Sequence, residues 1–139
     1  MQIKIQPIEK IHFEEVLELL KNISEYAPPK NSYSTIWKNF INQENNYALV
    51  ALFNNKVVGF GVVVIETKIR GGKLGHIEDI VTDRNMQKKG IGKKIMDSLL
   101  EICKQKNCYK VALHCKDHNV EFYKKCGYSL GESSMNLII

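Results

Sequence analysis

The run Gln87-Lys88-Lys89-Gly90-Ile91-Gly92 stands where a β-rich stretch gives way to a helical pattern. A helix N-terminus there presents unpaired backbone N–H groups and a partial positive charge, and the two glycines remove side chains that would hold a phosphate away. Lys88, Lys89, Lys93 and Lys94 add positive charge around the same turn. Such a segment suits the seating of a diphosphate. A Walker loop is excluded because the GxxxxGK[ST] spacing is absent. A dinucleotide turn is disfavoured too, because it would follow the first strand of a parallel βαβ unit rather than a run of strands ending near residue 90.

Other residues have types suited to proton transfer. Glu78 and Asp79 adjoin in a strand-like stretch, where neighbouring side chains point to opposite faces, so the two carboxylates are expected to serve different roles. They read either as an acid/base pair or as strand-end ion-pair partners. Tyr123, a phenol with an ordinary pKa near ~10, is a proton donor at neutral pH or a core aromatic beside Phe122. Asn119 reads as a helix cap, a ligand contact, or both. His114, Cys115 and His118 lie close in sequence, but no second cluster completes a tetrahedral set, and no metal is expected.

The elements that must position these residues follow from periodicity. A short strand at 3–6 precedes a helix whose apolar face carries Phe13, Val16, Leu17, Leu20 and Ile23. Pro28 and Pro29 break the pattern into a loop, after which Ile36, Trp37, Phe40 and Ile41 mark a shorter helix. Strands at 47–53 and 56–66 flank Asn54-Asn55, whose tolerance of left-handed backbone suits a tight hairpin. Gly71-Gly72 turns the chain into a further strand at 74–82, and Ile91, Ile95, Leu99 and Ile102 then define one face of a long helix reaching about Gln105. A strand at 111–115, a short helix at 119–126 stopped by Gly127, and strand-like residues at 128–130 and 135–139 close the chain. The expected architecture is one α+β domain over 1–139, with a mixed, mainly antiparallel central sheet flanked by helices.

Composition narrows the partners. At 139 residues and 44% hydrophobic, the chain suffices for one core without metals or disulfides. Its charge of +5 suits an anionic partner, and the basic excess is partly local to the glycine turn, without the aromatic interleaving or motif spacing of a nucleic-acid surface. The longest apolar run, 57–65, is too short to cross a bilayer. Four cysteines without a CxxC pair and no cleavable apolar start lead to an expectation of reduced thiols and a cytoplasmic location.

The turn and its setting resemble the GNAT acetyltransferase superfamily, whose acetyl-CoA motif [R/Q]-x-x-G-x-[G/A] is matched by Gln87, Gly90 and Gly92. Over 66–135 the resemblance sharpens toward the glucosamine-6-phosphate N-acetyltransferases. It rests there on Gly75-His76-Ile77-Glu78-Asp79-Ile80, on Asn107-Cys108-Tyr109-Lys110 and on Asn119-Val120-Glu121-Phe122-Tyr123-Lys124-Lys125-Cys126-Gly127-Tyr128. The resemblance implies a GNAT fold and direct transfer of acetyl from acetyl-CoA to glucosamine 6-phosphate in a ternary complex, within UDP-N-acetylglucosamine biosynthesis, by a homodimer. It implies that the backbone of Ile80, Val81 and Thr82 pairs with the pantetheine arm, that Gln87, Lys88, Lys89, Gly90, Ile91, Gly92 and Lys93 hold the pyrophosphate, and that Asn119 and Tyr123 also touch the coenzyme. Glu78 and Asp79 would orient or deprotonate the amine, and Tyr123 would protonate the leaving thiolate. Ser24, Lys68, Tyr109, Lys110 and His114 would contact the sugar phosphate.

Two departures stand out. His114 occupies a position where the family has an acidic residue, and the chain ends in Leu137-Ile138-Ile139 where the family has a phosphate-binding arginine. These keep two rivals in view: a GNAT enzyme acting on another small or protein amine, and a non-catalytic acetyl-CoA-binding module.

Overall fold

The β2–β3 hairpin shows how local chemistry sets the frame. Asn54 and Asn55 adopt φ of 51° and 63°, the left-handed pair that matches the twist of the flanking strands. Those strands are β2 (Asn46–Phe53) and β3 (Lys56–Thr67), the latter buried along most of its length. The computed structural model describes residues 2–139. Around the hairpin the order is β1 (Lys4–Pro7), α1 (Phe13–Leu20), α2 (Tyr33–Ile41), β2, β3, β4 (Lys73–Thr82), α3 (Ile91–Gln105), β5 (Cys108–Leu113) and α4 (Val120–Lys125), with single 3-10 turns between some of them.

One five-stranded sheet runs β1-β2-β3-β4-β5, antiparallel through β4, with β5 added parallel. The α+β sandwich expected from the periodicity is present. Both faces of β3 are covered. Val58, Val63 and Ile65 pack with Ile91, Ile95, Met96 and Leu99 of α3, while Val57, Phe60 and Val62 pack with Val16 of α1 on the other side. The apolar stripe expected along the long helix is this buried face, and Glu15 of α1 accepts a hydrogen bond from the Val57 backbone at 2.9 Å, tying the first helix to the start of β3.

Gly61 explains how close α3 lies. A Cβ there would sit 2.6 Å from Ile80 Cδ1 and 2.8 Å from Ile95 Cγ2, so only hydrogen fits between sheet and helix.

Two expectations are corrected. β5 begins at Cys108 rather than 111, because the left-handed turn at Asn107 (φ 63°) delivers the chain from α3 directly into the sheet. Tyr109 and Lys110 therefore belong to the strand, and His114 and Cys115 lie beyond its end. No strand follows α4 among the described residues. Leu130, Met135, Leu137, Ile138 and Ile139 are strand-forming by type yet 75–116% exposed, since propensity describes fit to a pleated, half-buried surface and supplies no neighbour to pair with.

Candidate active site

Strand β4 carries the two carboxylates across an irregularity. Val62 pairs with Glu78 and Phe60 with Val81, so Gly61 alone opposes both Asp79 and Ile80. Asp79 takes φ of 56°, the left-handed conformation of a β-bulge residue. The two-residue alternation expected to separate Glu78 from Asp79 is thus interrupted between them. Glu78 lies on the sheet face of its partner Val62, whereas Ile80 packs into the α3 core and Val81 into the α1 core. Both carboxylates are exposed, yet the surrounding strands take enough water from Asp79 to raise its pKa above the ordinary aspartate value. That shift makes it a better proton acceptor near neutral pH.

Beyond the bulge the sheet opens. β5 pairs with β4 only as far as Ile77 opposite Leu113, and the chain then leaves the sheet, so the edge of 78–82 has no neighbouring strand. Ile80, Val81 and Thr82 lie on this edge, which can pair with an extended ligand as a further strand would. At its end Asp83 caps the backbone N–H of Asn85 at 2.9 Å, and the chain passes through Lys88 (φ 64°) into Gly90 (φ 79°). Gly90 is the α3 N-cap and offers no side-chain cap bond, leaving the first-turn N–H groups of Ile91 and Gly92 available to an anion. A Cβ at Gly90 would meet no atom within 4 Å, so the approach to those donors is open. These residues fit the diphosphate of a coenzyme. Gln87, Lys88 and Lys89 are exposed beside the turn, while Lys93 is paired with Asp97 at 2.8 Å and is already partly neutralised.

Helix α4 packs onto that first turn. The Phe122 ring lies where a Cβ on Gly92 would come within 3.0 Å of its Cζ, which explains the second glycine and seats the neighbouring Tyr123. Tyr123 is held edge-on between Phe122 (centroids 5.0 Å apart) and Tyr128 (6.5 Å). Burial pushes its phenol up to about 12, with Cys115 and Cys126 nearby, so it keeps its proton at neutral pH. Asn119 is the N-cap residue of α4 by position, and its side chain makes no cap hydrogen bond.

The residues expected to meet the acceptor are less gathered. Lys68 sits in the β3–β4 turn, its backbone N–H bonded to the Gly72 carbonyl at 2.7 Å and its ammonium 3.1 Å from Glu66. Tyr109 is exposed with its ring against Gly72, Lys110 is exposed in β5, and His114 follows the strand end. Ser24 accepts a bond from the Tyr26 backbone at 3.3 Å, which occupies it in a local turn. Glu66 and His76 were not singled out from sequence. Their link, 3.0 Å between Glu66 Oε1 and His76 Nε2, crosses two strands and ten residues of chain. The register that joins them exists only in the folded sheet. Among the described residues no group of three or more His, Cys, Asp or Glu side chains is arranged to hold a metal ion, and no helix is long and apolar enough to cross a membrane.

The chain matches the acetyltransferase (GNAT) family model over residues 13–128. It is 32% identical to glucosamine 6-phosphate N-acetyltransferase 1 of Dictyostelium discoideum, over 99% of this chain and 91% of that one. It is 31% identical to the glucosamine 6-phosphate N-acetyltransferase of Trypanosoma brucei brucei, over 99% and 96%. The crystal structure of glucosamine-6-phosphate N-acetyltransferase from Arabidopsis thaliana superposes with a TM-score of 0.90 at 30% identity, covering 99% of both chains. By both sequence and fold this chain belongs to the GNAT acetyltransferase family.

Proposed function

We infer that the protein acetylates the amine of glucosamine 6-phosphate with acetyl-CoA, giving N-acetylglucosamine 6-phosphate. The observation that carries the transfer is the parting of β4 from β5 after Ile77, which leaves the edge of 80–82 free between the carboxylates of Glu78 and Asp79 and the α3 turn. The acceptor rests on the full-length likeness to enzymes named for that reaction.

Acetyl-CoA supplies the acetyl group as a thioester. The free backbone edge of Ile80, Val81 and Thr82 orients the donor, and the donors at Gly90, Ile91 and Gly92 fix its diphosphate. A protonated amine is not nucleophilic, so Asp79 or Glu78 accepts a proton from the sugar ammonium before nitrogen attacks the thioester carbonyl carbon. As the C–S bond breaks, the nitrogen sheds its second proton and the Tyr123 hydroxyl protonates the departing thiolate, so the proton lost from nitrogen replaces the one the phenol gives up; burial pushes that phenol up to about 12, which keeps it protonated beforehand. Both substrates are bound together and the acetyl group moves directly, with no acylated side chain. Lys68, Lys110 and Tyr109 receive the sugar phosphate, and His114 meets a hydroxyl or the amine region. The apolar run ending at Ile139, exposed in one chain, supports a homodimer. The product serves UDP-N-acetylglucosamine synthesis in the cytoplasm.

Thiol release from acetyl-CoA should be selective for glucosamine 6-phosphate over glucosamine, galactosamine 6-phosphate and a lysine peptide, and should collapse in Tyr123→Phe. Equal turnover of all four acceptors would refute the sugar-phosphate assignment.

A further inference from the structure

Helix α4 ends in a turn that folds the chain back on itself. The Tyr128 N–H donates to the Tyr123 carbonyl and the Gly127 N–H to the Lys124 carbonyl, each at 3.0 Å, with Gly127 in the left-handed region at φ 99°. This is the Schellman pattern, in which the residue two past the helix cap packs on the residue three before it. Here both of those residues are tyrosines, and their rings meet edge to face with centroids 6.5 Å apart and 74° between planes. With Phe122 at 5.0 Å, the Tyr123 ring has aromatic neighbours from its own helix and from the turn that follows. A helix of six residues has little stability of its own, so such contacts decide where its side chains point. The Tyr128 hydroxyl is buried and has no hydrogen-bond partner among the described residues. An unpaired buried hydroxyl costs stability, so what Tyr128 contributes comes from its ring.

We propose that Tyr128 is a positioning residue for the proton donor: its ring, carried by the turn after α4, holds the Tyr123 ring in one orientation and keeps water from it. The proposal rests on the reading of Tyr123 as the acid that protonates the departing thiolate. A hydrogen bond weakens steeply as it bends, so a phenol serves as general acid only while its O–H stays aimed at the sulfur. The hydroxyl lies at the far end of the side chain, and a small rotation of an unsupported ring moves it by on the order of 1 Å, enough to cost catalysis. The Tyr128 ring also contributes to the burial that pushes the Tyr123 phenol up to about 12. The titratable groups facing the pair are Cys115 and Cys126 beside Tyr123, and Cys103, Cys126 and Asp97 beside Tyr128. All of them stay in place when Tyr128 is replaced.

The test separates ring from hydroxyl. Tyr128→Phe keeps the ring, Tyr128→Leu and Tyr128→Met remove it in two different shapes, and thermal melts establish which variants fold. Tyrosinate absorbance then follows the folded proteins through alkaline pH, with Tyr123→Phe assigning the Tyr123 signal. Tyr123 should titrate at about 12 in Tyr128→Phe and closer to the ordinary value of about 10 in the Leu and Met variants. For thiol release with glucosamine 6-phosphate, kcat should stay within about twofold in Tyr128→Phe and fall about tenfold in the Leu and Met variants, part of the ~10²–10⁴-fold that a positioned acid supplies, with KM for acetyl-CoA little changed. In a Tyr123→Phe background the Leu and Met changes should have no further effect, because they act through the hydroxyl already removed. A Tyr123 titration that stays at about 12 without the Tyr128 ring overturns the proposal. An equal loss of kcat in both backgrounds overturns it too, as does a loss in Tyr128→Phe that matches that in Tyr128→Leu. Full turnover by Tyr123→Phe refutes the acid reading instead, and the titration then reports on the ring contact alone.

Discussion

Gly61→Ala tests the packing that holds β3 and β4 against α3. The new methyl would lie 2.6 Å from Ile80 Cδ1, 2.8 Å from Ile95 Cγ2 and 3.2 Å from Leu99 Cδ1. Carbon atoms rest at about 3.5–4.0 Å, so the first two must retreat by roughly 1 Å. Ile80 Cδ1 is the free end of a partly buried side chain and can swing aside. Ile95 Cγ2 is attached at a β-branched carbon with one preferred χ1 in a helix, and Ile95 is fully buried, so helix and side chain have to move together. Overpacking of this kind costs about 1–3 kcal/mol. We expect about 2 kcal/mol here, equivalent to a melting point lower by roughly 6–10 °C in a domain of this size. Urea unfolding should show a lower midpoint with an unchanged slope, the mark of altered stability rather than altered compactness. The shift also moves the first turn of α3, so KM for acetyl-CoA should rise. Gly131→Ala is the control, because a Cβ there meets nothing within 4 Å, and it should change stability by no more than about 0.5 kcal/mol. A Gly61→Ala loss below about 0.5 kcal/mol would refute the claim that this glycine sets the sheet–helix distance.

Four further outcomes are expected. Asp79→Asn, which keeps a residue tolerant of the left-handed backbone, should lower kcat by about 10²-fold or more and outweigh Glu78→Gln; the reverse order assigns the base to Glu78. With Asp79 as base, kcat/KM should fall as pH drops through a pKa above the ordinary aspartate range, and Asp79→Asn should abolish that limb. Burial pushes the Tyr123 and Tyr128 phenols up to about 12 in the folded protein, against about 10 unfolded, so the folded state binds more protons between those values and stability should be lost as pH rises from about 10 through about 12. Tyrosinate absorbance should show these two titrating last in the native protein and with the others after denaturation. The proposed homodimer predicts that the full chain sediments as a dimer and that removal of residues 130–139 shifts it to monomer while leaving the thermal transition of the domain recognisable; a monomeric full chain would refute the dimer, and an unchanged dimer would refute the C-terminal interface.

Much of the site could be read before the fold, because its information is local. A glycine pair at a strand-to-helix transition, a left-handed Asn-Asn turn and an apolar stripe at helical spacing each depend on residues within a few positions, and the structure has all three. The long helix was legible through Ile91, Ile95 and Leu99, since burial on one face imposes its own period. The ends of β5 and the fate of the C-terminal residues were not. Cys108 to Lys110 have little apolar pattern because an edge strand tolerates polar side chains, and residues 135–139 read as strand-like but have no pairing partner among the described residues.

The sequence by itself determined which chemical groups are present and in what order: the glycine turn, the adjacent carboxylates, the phenol and the α+β pattern. Tertiary structure alone decided how they act together. Pairing of β3 with β4 places Gly61 opposite two residues and so turns Asp79 out of the strand's alternation. The same pairing brings Glu66 to His76 and Lys68, and the parting of β5 from β4 opens the edge of 78–82. Each of these depends on the register between strands distant in the chain, and register is fixed by the packing of whole faces rather than by any local run of residues.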